Sequence, residues 1–381
     1  MSVIGITNAI RLESNMFSTK KILYIFSYNK PPYENDCSDN SAVSIKNFII
    51  RQLDKMNRTA TIYDMFIKYP FYFPFDALEL QSKKSDSSIG VKIRYHQLDF
   101  NEIPLWNIFF NDYNSTIQIL LSQDVTNIDN IFQSRNKVKW FVNDILIIME
   151  LFLDVPSKKP LEIPPYLTLE KTASARELID KLKNDYSNEK VKKIMAIIFN
   201  SYLKEGLNSL LSIFEKIGEA LEKIYKHLSV GEFMINPDLD ATQDILPDYA
   251  QYPNHGPNYS VIRLENENIL SQIKSLNMIS DTTYVLLEDI YFLRRFLDKS
   301  YITNASLFTP SFLPPFVVYI LTKYFEFTVT QMTNSRYDVD QLNKKISSTD
   351  LGKEFYHLFQ PDMLMPCVDL SGFSMATGDL K

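Results

Sequence analysis

Glycine is scarce in this chain: 9 of 381 residues, where an average protein has about 7%. The nine stand at positions 5, 90, 206, 218, 231, 256, 352, 372 and 378, and no two are closer than six residues. A dinucleotide fingerprint needs glycines two and three apart, so that backbone can approach a pyrophosphate. A P-loop needs Gly-x-x-x-x-Gly-Lys-Ser/Thr. Neither is present, which argues against nucleotide-dependent enzymes of both classes.

Metal ligands are equally thin. The four histidines, His96, His227, His255 and His357, are far apart, and the two cysteines, Cys37 and Cys367, form no Cys-x-x-Cys pattern. A zinc site would have to be gathered from distant segments. No metal or other cofactor is expected. The two cysteines, 330 positions apart, could form one disulfide, although nothing else suggests an oxidising compartment.

The N-terminus lacks a basic leader and does not read as a signal peptide. No uncharged apolar stretch is long enough for a membrane-spanning helix; the nearest, Pro314 to Phe327, is interrupted by Lys323 and Glu326. The expectation is an intracellular, cytoplasmic protein without an integral membrane segment. Formal net charge is −6, which argues against a dedicated nucleic-acid surface and leaves room only for a local basic groove.

What is present is an ordinary globular composition, 45% hydrophobic and 23% charged, with unevenly spread charge. Residues 156–230 carry a net +3 and residues 231–300 a net −6. With Pro-rich stretches near the shifts, the chain divides into 1–155 (an α/β sheet region with closing helices), 156–230 (helical), 231–260 (an acidic loop) and 261–381 (helical, with a tail). The expected fold class is α+β and predominantly helical.

In the first region, Lys21 to Ser27 is a β-branched and aromatic run between polar segments, a strand signal. Ser41 to Met56 has apolar residues three and four apart, as in an amphipathic helix. Thr59 to Ile67 and Gly90 to Leu98 read as strands, and Ser115 to Leu121 as another. Ile128 to Leu153 reads as a helix broken near Asn136. This element order is comparable to that of longin-like trafficking modules, an order that unrelated functions share. Tyr69-Pro-Phe-Tyr-Phe-Pro-Phe75 packs five aromatics into seven residues. Its prolines exclude a central strand. Tyr69, Phe71 and Phe73 serve either as core-edge packing or as an exposed docking patch.

The clearest pattern follows. Ser174-Ala-Arg-Glu177 fits a capping box, and Ser187 with Glu189 marks a second helix start. Leu203, Leu207, Leu210, Phe214, Ile217, Leu221, Ile224 and Leu228 then alternate spacings of four and three, a heptad seam. An apolar stripe from Val191 to Tyr202 precedes it in a shifted phase. The helix would run about 40 residues, roughly 60 Å. Its seam must be covered, by a helix of the same chain or by a partner in a coiled coil. Gly206 and Gly218 weaken such a helix by about 1 kcal/mol each and permit close approach of a neighbour.

From Val230 to Ser260 the sequence reads as a long acidic loop with Asp238, Asp240 and Asp244. It resembles a calcium loop only faintly, because the glycine and terminal glutamate are missing. It suits a basic protein partner better. Two helices are expected from Val261 to Leu276 and from Asp281 to Lys299, the second ending in Arg294-Arg295, where cations favour the helix dipole. Pro314-Pro315 opens an apolar helix through Thr330. The tail from Pro361 either straps onto the body or docks on a neighbour.

No nucleophile–base pattern stands out. Gly-x-Ser-x-Gly is absent, Cys37 lies in an acidic loop, Cys367 and His357 are ten apart, and Glu288 and Asp289 are adjacent. The reading is a non-enzymatic structural or interaction subunit of an intracellular assembly, whose partner is another protein or a second copy of itself. Its candidate contacts are Leu203, Leu207, Leu210, Phe214, Ile217 and Leu221, with the aromatic and acidic segments above. The alternatives are a viral structural or nucleoprotein-like subunit, with an RNA groove at Lys181 to Lys193, a longin-like membrane-trafficking adaptor, and a helical pore-former that uses the helix beginning at Phe316.

Overall fold

The structure, a computed structural model, describes residues 2–28, 37, 39–45, 47, 48, 51, 63–68, 93–98, 104–156, 169–235, 259–310, 314–359, 367–371 and 373. Tyr69, Phe71, Phe73, Asp238, Asp240 and Asp244 lie outside the described residues. The chain is α+β, mostly helical, with two mixed sheets. It divides into two compact units, each discontinuous in sequence. A sheet unit comprises Met1–Asp99, Asn184–Met195 and Leu287–Lys381; a helical unit comprises Phe100–Lys183 and Ala196–Leu286. These spatial units differ from the consecutive blocks read from composition. A linear scan of charge cannot register helices inserted between two strands of one sheet.

In the sheet unit, β1 (Ser2–Ile4) lies between β4 (Val43–Ser44) and β9 (Cys367–Asp369), parallel to the first and antiparallel to the second. Gly5 follows with a φ of 93°, a conformation open to glycine and costly for other residues. It leads from β1 into β2 (Ile6–Ser14) of the second sheet. That sheet also contains β3 (Lys21–Tyr28), β5 (Tyr63–Lys68), β6 (Ile93–Leu98), β7 (Asn304–Pro310) and β8 (Thr328–Met332). The strand order is β6-β5-β7-β3-β2-β8, with β6, β5, β7 and β3 parallel. β3 and β5 are buried along almost their whole length, as near-continuous apolar strands of a parallel sheet should be.

Alternation gives the sheet two distinct faces. Tyr24, Phe26, Tyr63, Met65, Ile67 and Phe308 share one face with Phe48, Val3, Val368 and Phe373 in a single core cluster. Thus the tail beyond Pro361 straps onto the body through β9, and a disulfide between Cys37 and Cys367 secures it, with Cα atoms 5.6 Å apart. The second face meets the last turns of a long helix, as described below.

The helical unit contains α1 (Pro104–Ser122), α2 (Ile128–Leu153), most of α3 (Leu169–Asn184), α5 (Lys204–Ile235) and the first part of α6 (Tyr259–Asp298). Helix α4 (Glu189–Ile198) precedes a π-helical turn, Phe199–Leu203, that leads directly into α5. This turn sits where the apolar stripe changes phase: an inserted residue resets which face points inward. In the sheet unit, α7 (Pro314–Phe325), α8 (Val339–Ser348) and α9 (Lys353–His357) complete the fold.

Several local expectations change. Ser115 to Leu121 is helical, within α1, where Phe109, Tyr113, Thr116 and Leu120 are buried at helical spacing. α2 runs unbroken past Asn136, capped by the Asn127 side chain, which accepts from the N–H groups of Asp129 and Asn130. Ser174 lies inside α3 rather than at its start. Asn188, not Ser187, caps α4 through the N–H groups of Lys190 and Val191. α5 continues to Ile235, and the two helices expected after Val261 are one, α6. α7 ends at Phe325, and Glu326 then takes a left-handed φ of 54° before β8.

Candidate functional site

The expected seam residues Leu203, Leu207, Leu210, Phe214, Ile217 and Leu221 are all buried. They are core side chains. Where α5 meets α2, the Phe214 and Phe141 rings stand edge to face, 4.6 Å apart, and Phe141 stacks on Phe109 at 5.1 Å. Gly206 and Gly218 differ sharply. A Cβ at Gly206 would lie 2.2 Å from Thr283 Oγ1 on α6, so any larger residue there must displace the Thr283 side chain. At Gly218 it would meet Val138 at an ordinary 3.6 Å.

Beside this core, α2 and α5 border a groove of about 830 Å³. Phe132, Val138, Val142 and Phe214 give it apolar walls. Arg135 pairs with Glu222 at 2.6 Å and lies over the Tyr225 ring. Lys223, on the groove, pairs with Glu265 of α6 at 2.8 Å.

The helical unit also exposes apolar side chains. Leu264 is 63% exposed, Leu121 53%, and Phe132 and Trp140 46% each. Ile119, Ile197 and Leu270 join them; among the described residues, the sheet unit contributes only Tyr301 to this set.

The sheet unit holds the opposite chemistry. On its second face, Asp64 and Lys68 of β5 are fully buried. Lys68 pairs with Asp289 of α6, and Phe66 packs edge to face on Phe292. His96 of β6 stacks on Phe66 at 4.6 Å, and its Nε2 lies 2.7 Å from Asp64 Oδ1. Burial pushes the Asp289 carboxyl up to about 6, with Lys68 opposing. One residue before the ends of β3 and β7, Ser27 and Thr309 are in register with each other, and Thr309 follows Phe308, the partner of Ile67. Ser27, Thr309 and Lys68 therefore form one polar row on this face.

At the other end of β3, Lys21 Nζ donates to the carbonyls of Phe296, Lys299 and Ile302, at 2.8, 3.0 and 2.6 Å. It satisfies orphan acceptors at the end of α6. Burial lowers its pKa to about 8, against the raising effect of Asp298 and Asp64. Asp298 in turn accepts from the Ser187 and Asn188 N–H groups before α4.

Sequence reading missed this polar set. The available signal was the pair Asp64 and Lys68, four apart on one face of an otherwise apolar strand. Other candidates are accounted for. The disulfide removes both thiols as nucleophiles. Arg294 binds the Asp185 carbonyl and carboxylate. In the Lys181 to Lys193 segment, Lys181, Lys183 and Lys190 pair with Glu177, Asp154 and Glu326. Among the described residues there is no cluster of three or more His, Cys, Asp or Glu suited to a metal, and no helix long and apolar enough to cross a membrane.

Comparison with known proteins places this arrangement in a lineage without an assigned activity. Residues 72–376 match a family of unknown function, DUF5847, and the chain belongs to that family. Three relatives come from Acanthamoeba polyphaga mimivirus, all described as uncharacterized. Protein R161 is 24% identical across 97% of this chain and 96% of its own length. Protein R706 is 25% identical over the same shares, and protein R160 is 23% identical over 91% of each chain. No solved structure matches.

Proposed function

We propose that this DUF5847 member is a non-enzymatic subunit of a multiprotein assembly and binds its partner through outer faces of the helical unit. The supporting observation is the distribution of exposed large hydrophobics: seven of the eight among the described residues lie on that unit. Fully burying one such side chain contributes about 1.5–3 kcal/mol, and aromatic anchors such as Phe132 and Trp140 are the residue types on which interfaces concentrate their energy. The heptad seam is occupied within the chain, so the partner meets the opposite faces of these helices. The partner is another protein or a second copy of this one.

Site-directed photo-crosslinking in the native host tests this. A crosslinkable residue replaces Trp140 or Leu264 in the full chain, with Tyr301 of the sheet unit as the control. A discrete crosslinked species shared by the two helical positions and missing from Tyr301 supports the proposal. No product from the helical positions, or equal products from all three, overturns it.

A further inference from the structure

In the sheet unit, β5 and β7 are adjacent and parallel, yet the chain leaves them in opposite directions. After β5 the next strand of the sheet is β6, on one side; after β7 it is β8, on the other. In open α/β sheets, the carboxyl ends of neighbouring parallel strands that diverge in this way are the usual ligand position. The polar row lies at this edge: Lys68 ends β5, and Ser27 and Thr309 stand one residue before the ends of β3 and β7.

The row is short of hydrogen-bond partners. Thr309 is fully buried and its Oγ1 has no partner; Asp289 is fully buried and its Oδ2 has none. Lys68 Nζ uses one of its donors, on Asp289 Oδ1. Buried polar groups of this kind call for a bound partner, either water or a ligand.

The unmet capacities are specific. Asp289 Oδ2 needs a donor, Lys68 needs acceptors, and the Thr309 hydroxyl serves as either. Adjacent hydroxyls on one molecule donate to the carboxylate while accepting from the ammonium. An anion fits poorly, because it would face the free carboxylate oxygen. The helix that follows β7 opens with Pro314 and Pro315, neither of which has an N–H to offer a phosphate. The scarcity of glycine agrees, since the sequence has neither a dinucleotide fingerprint nor a P-loop motif.

We propose that Lys68, Asp289 and Thr309, at the carboxyl edge of β5 and β7, form a binding site for a vicinal diol, as carried by a sugar or by the ribose of a nucleoside. This site is independent of the partner surface on the helical unit. The test is saturation-transfer NMR on the full-length chain with D-ribose, D-glucose, adenosine and 2′-deoxyadenosine as probes. Transfer to adenosine without transfer to 2′-deoxyadenosine is expected. Transfer to ribose or glucose as well identifies a free-sugar site, and transfer to adenosine alone a nucleoside site. Thr309→Val, nearly the same shape, should weaken binding about tenfold with an unchanged melting temperature. If that variant fails to fold, Ser27→Ala in the same row replaces it, with a smaller loss expected. Equal transfer to the deoxy probe, binding unaffected by the substitution, or no transfer to any probe, as when water alone fills the row, overturns the proposal.

Discussion

Six of the eight buried charged residues among those described lie in the sheet unit: Lys21, Asp64, Lys68, Glu288, Asp289 and Asp298. Seven of the eight exposed large hydrophobics lie in the helical unit. The two units therefore bear opposite costs. The sheet unit removes charges from water and must compensate them with partners inside the fold. The helical unit leaves apolar surface in water, a cost that only association can recover. Partner binding is thus sought on the helices and small-molecule binding at the sheet edge.

The largest expected effect is at Lys68. Lys68→Met leaves Asp289 buried and unpaired, which should cost about 3–5 kcal/mol in urea unfolding. The double variant Lys68→Met with Asp289→Leu should recover most of it. A single variant that loses under about 1 kcal/mol would mean the pair is not sealed, and the contrast between the units would weaken.

Next is the covalent clamp. Because Cys37 and Cys367 close nearly the whole chain into a loop, Cys37→Ser should cost about 2–5 kcal/mol. Limited proteolysis should then cut first near the strap that carries β9. If cleavage begins in the helical unit instead, the clamp does not determine the order of opening.

The Asp289 carboxyl gives a pH signature. Its folded pKa, about 6, lies above the ordinary 3.8, so between these values the folded state holds a proton that the unfolded state has lost. Stability from this group is present below about pH 4 and falls as pH rises through 6, by up to about 3 kcal/mol. Asp289→Asn should flatten that slope in unfolding measured from pH 4 to 7; an unaltered slope would place its origin elsewhere.

Much of the helical unit was legible in the sequence because its signals are local. A seam at four–three spacing states which face is buried, and Leu203 to Leu228 are buried. The phase shift before Leu203 marks the π turn. The sheet was legible strand by strand but not as a sheet. β3, β5 and β6 announce themselves, whereas β7 and β8, more than 200 residues after β6, read as parts of a helical region. β7 is buried on both faces and has no alternation to reveal it, and β8 is only five residues long. The row at Lys68 offered only the Asp64 and Lys68 pair as a local signal. Its members come from β3, β5 and β7, with Asp289 of α6 against Lys68, and only long-range register brings them together. Both glycines of α5 were open to a close-approach reading, but sequence could not tell which one meets a neighbour. Gly206→Ala should therefore cost about 1–3 kcal/mol through overpacking against Thr283, whereas Gly218→Ala should gain up to about 1 kcal/mol from helix propensity. Equal effects at the two sites would contradict the close approach of α5 and α6.

The smallest effect on stability should come from the residues proposed to matter most for assembly. Leu264 and Trp140 have large exposed fractions and contribute little to the monomer's own core. Replacing both with serine should shift unfolding free energy by no more than about 0.5 kcal/mol, as surface substitutions do. The same double variant should lose its photo-crosslinked partner, read from a probe placed at the neighbouring exposed Phe132, and should migrate as a smaller species in native-host extracts. A stability loss above about 2 kcal/mol would show that these side chains are internal to the fold. The apolar surface of the helical unit would then be structural, and the contrast with the sheet unit would be one of packing style rather than of role.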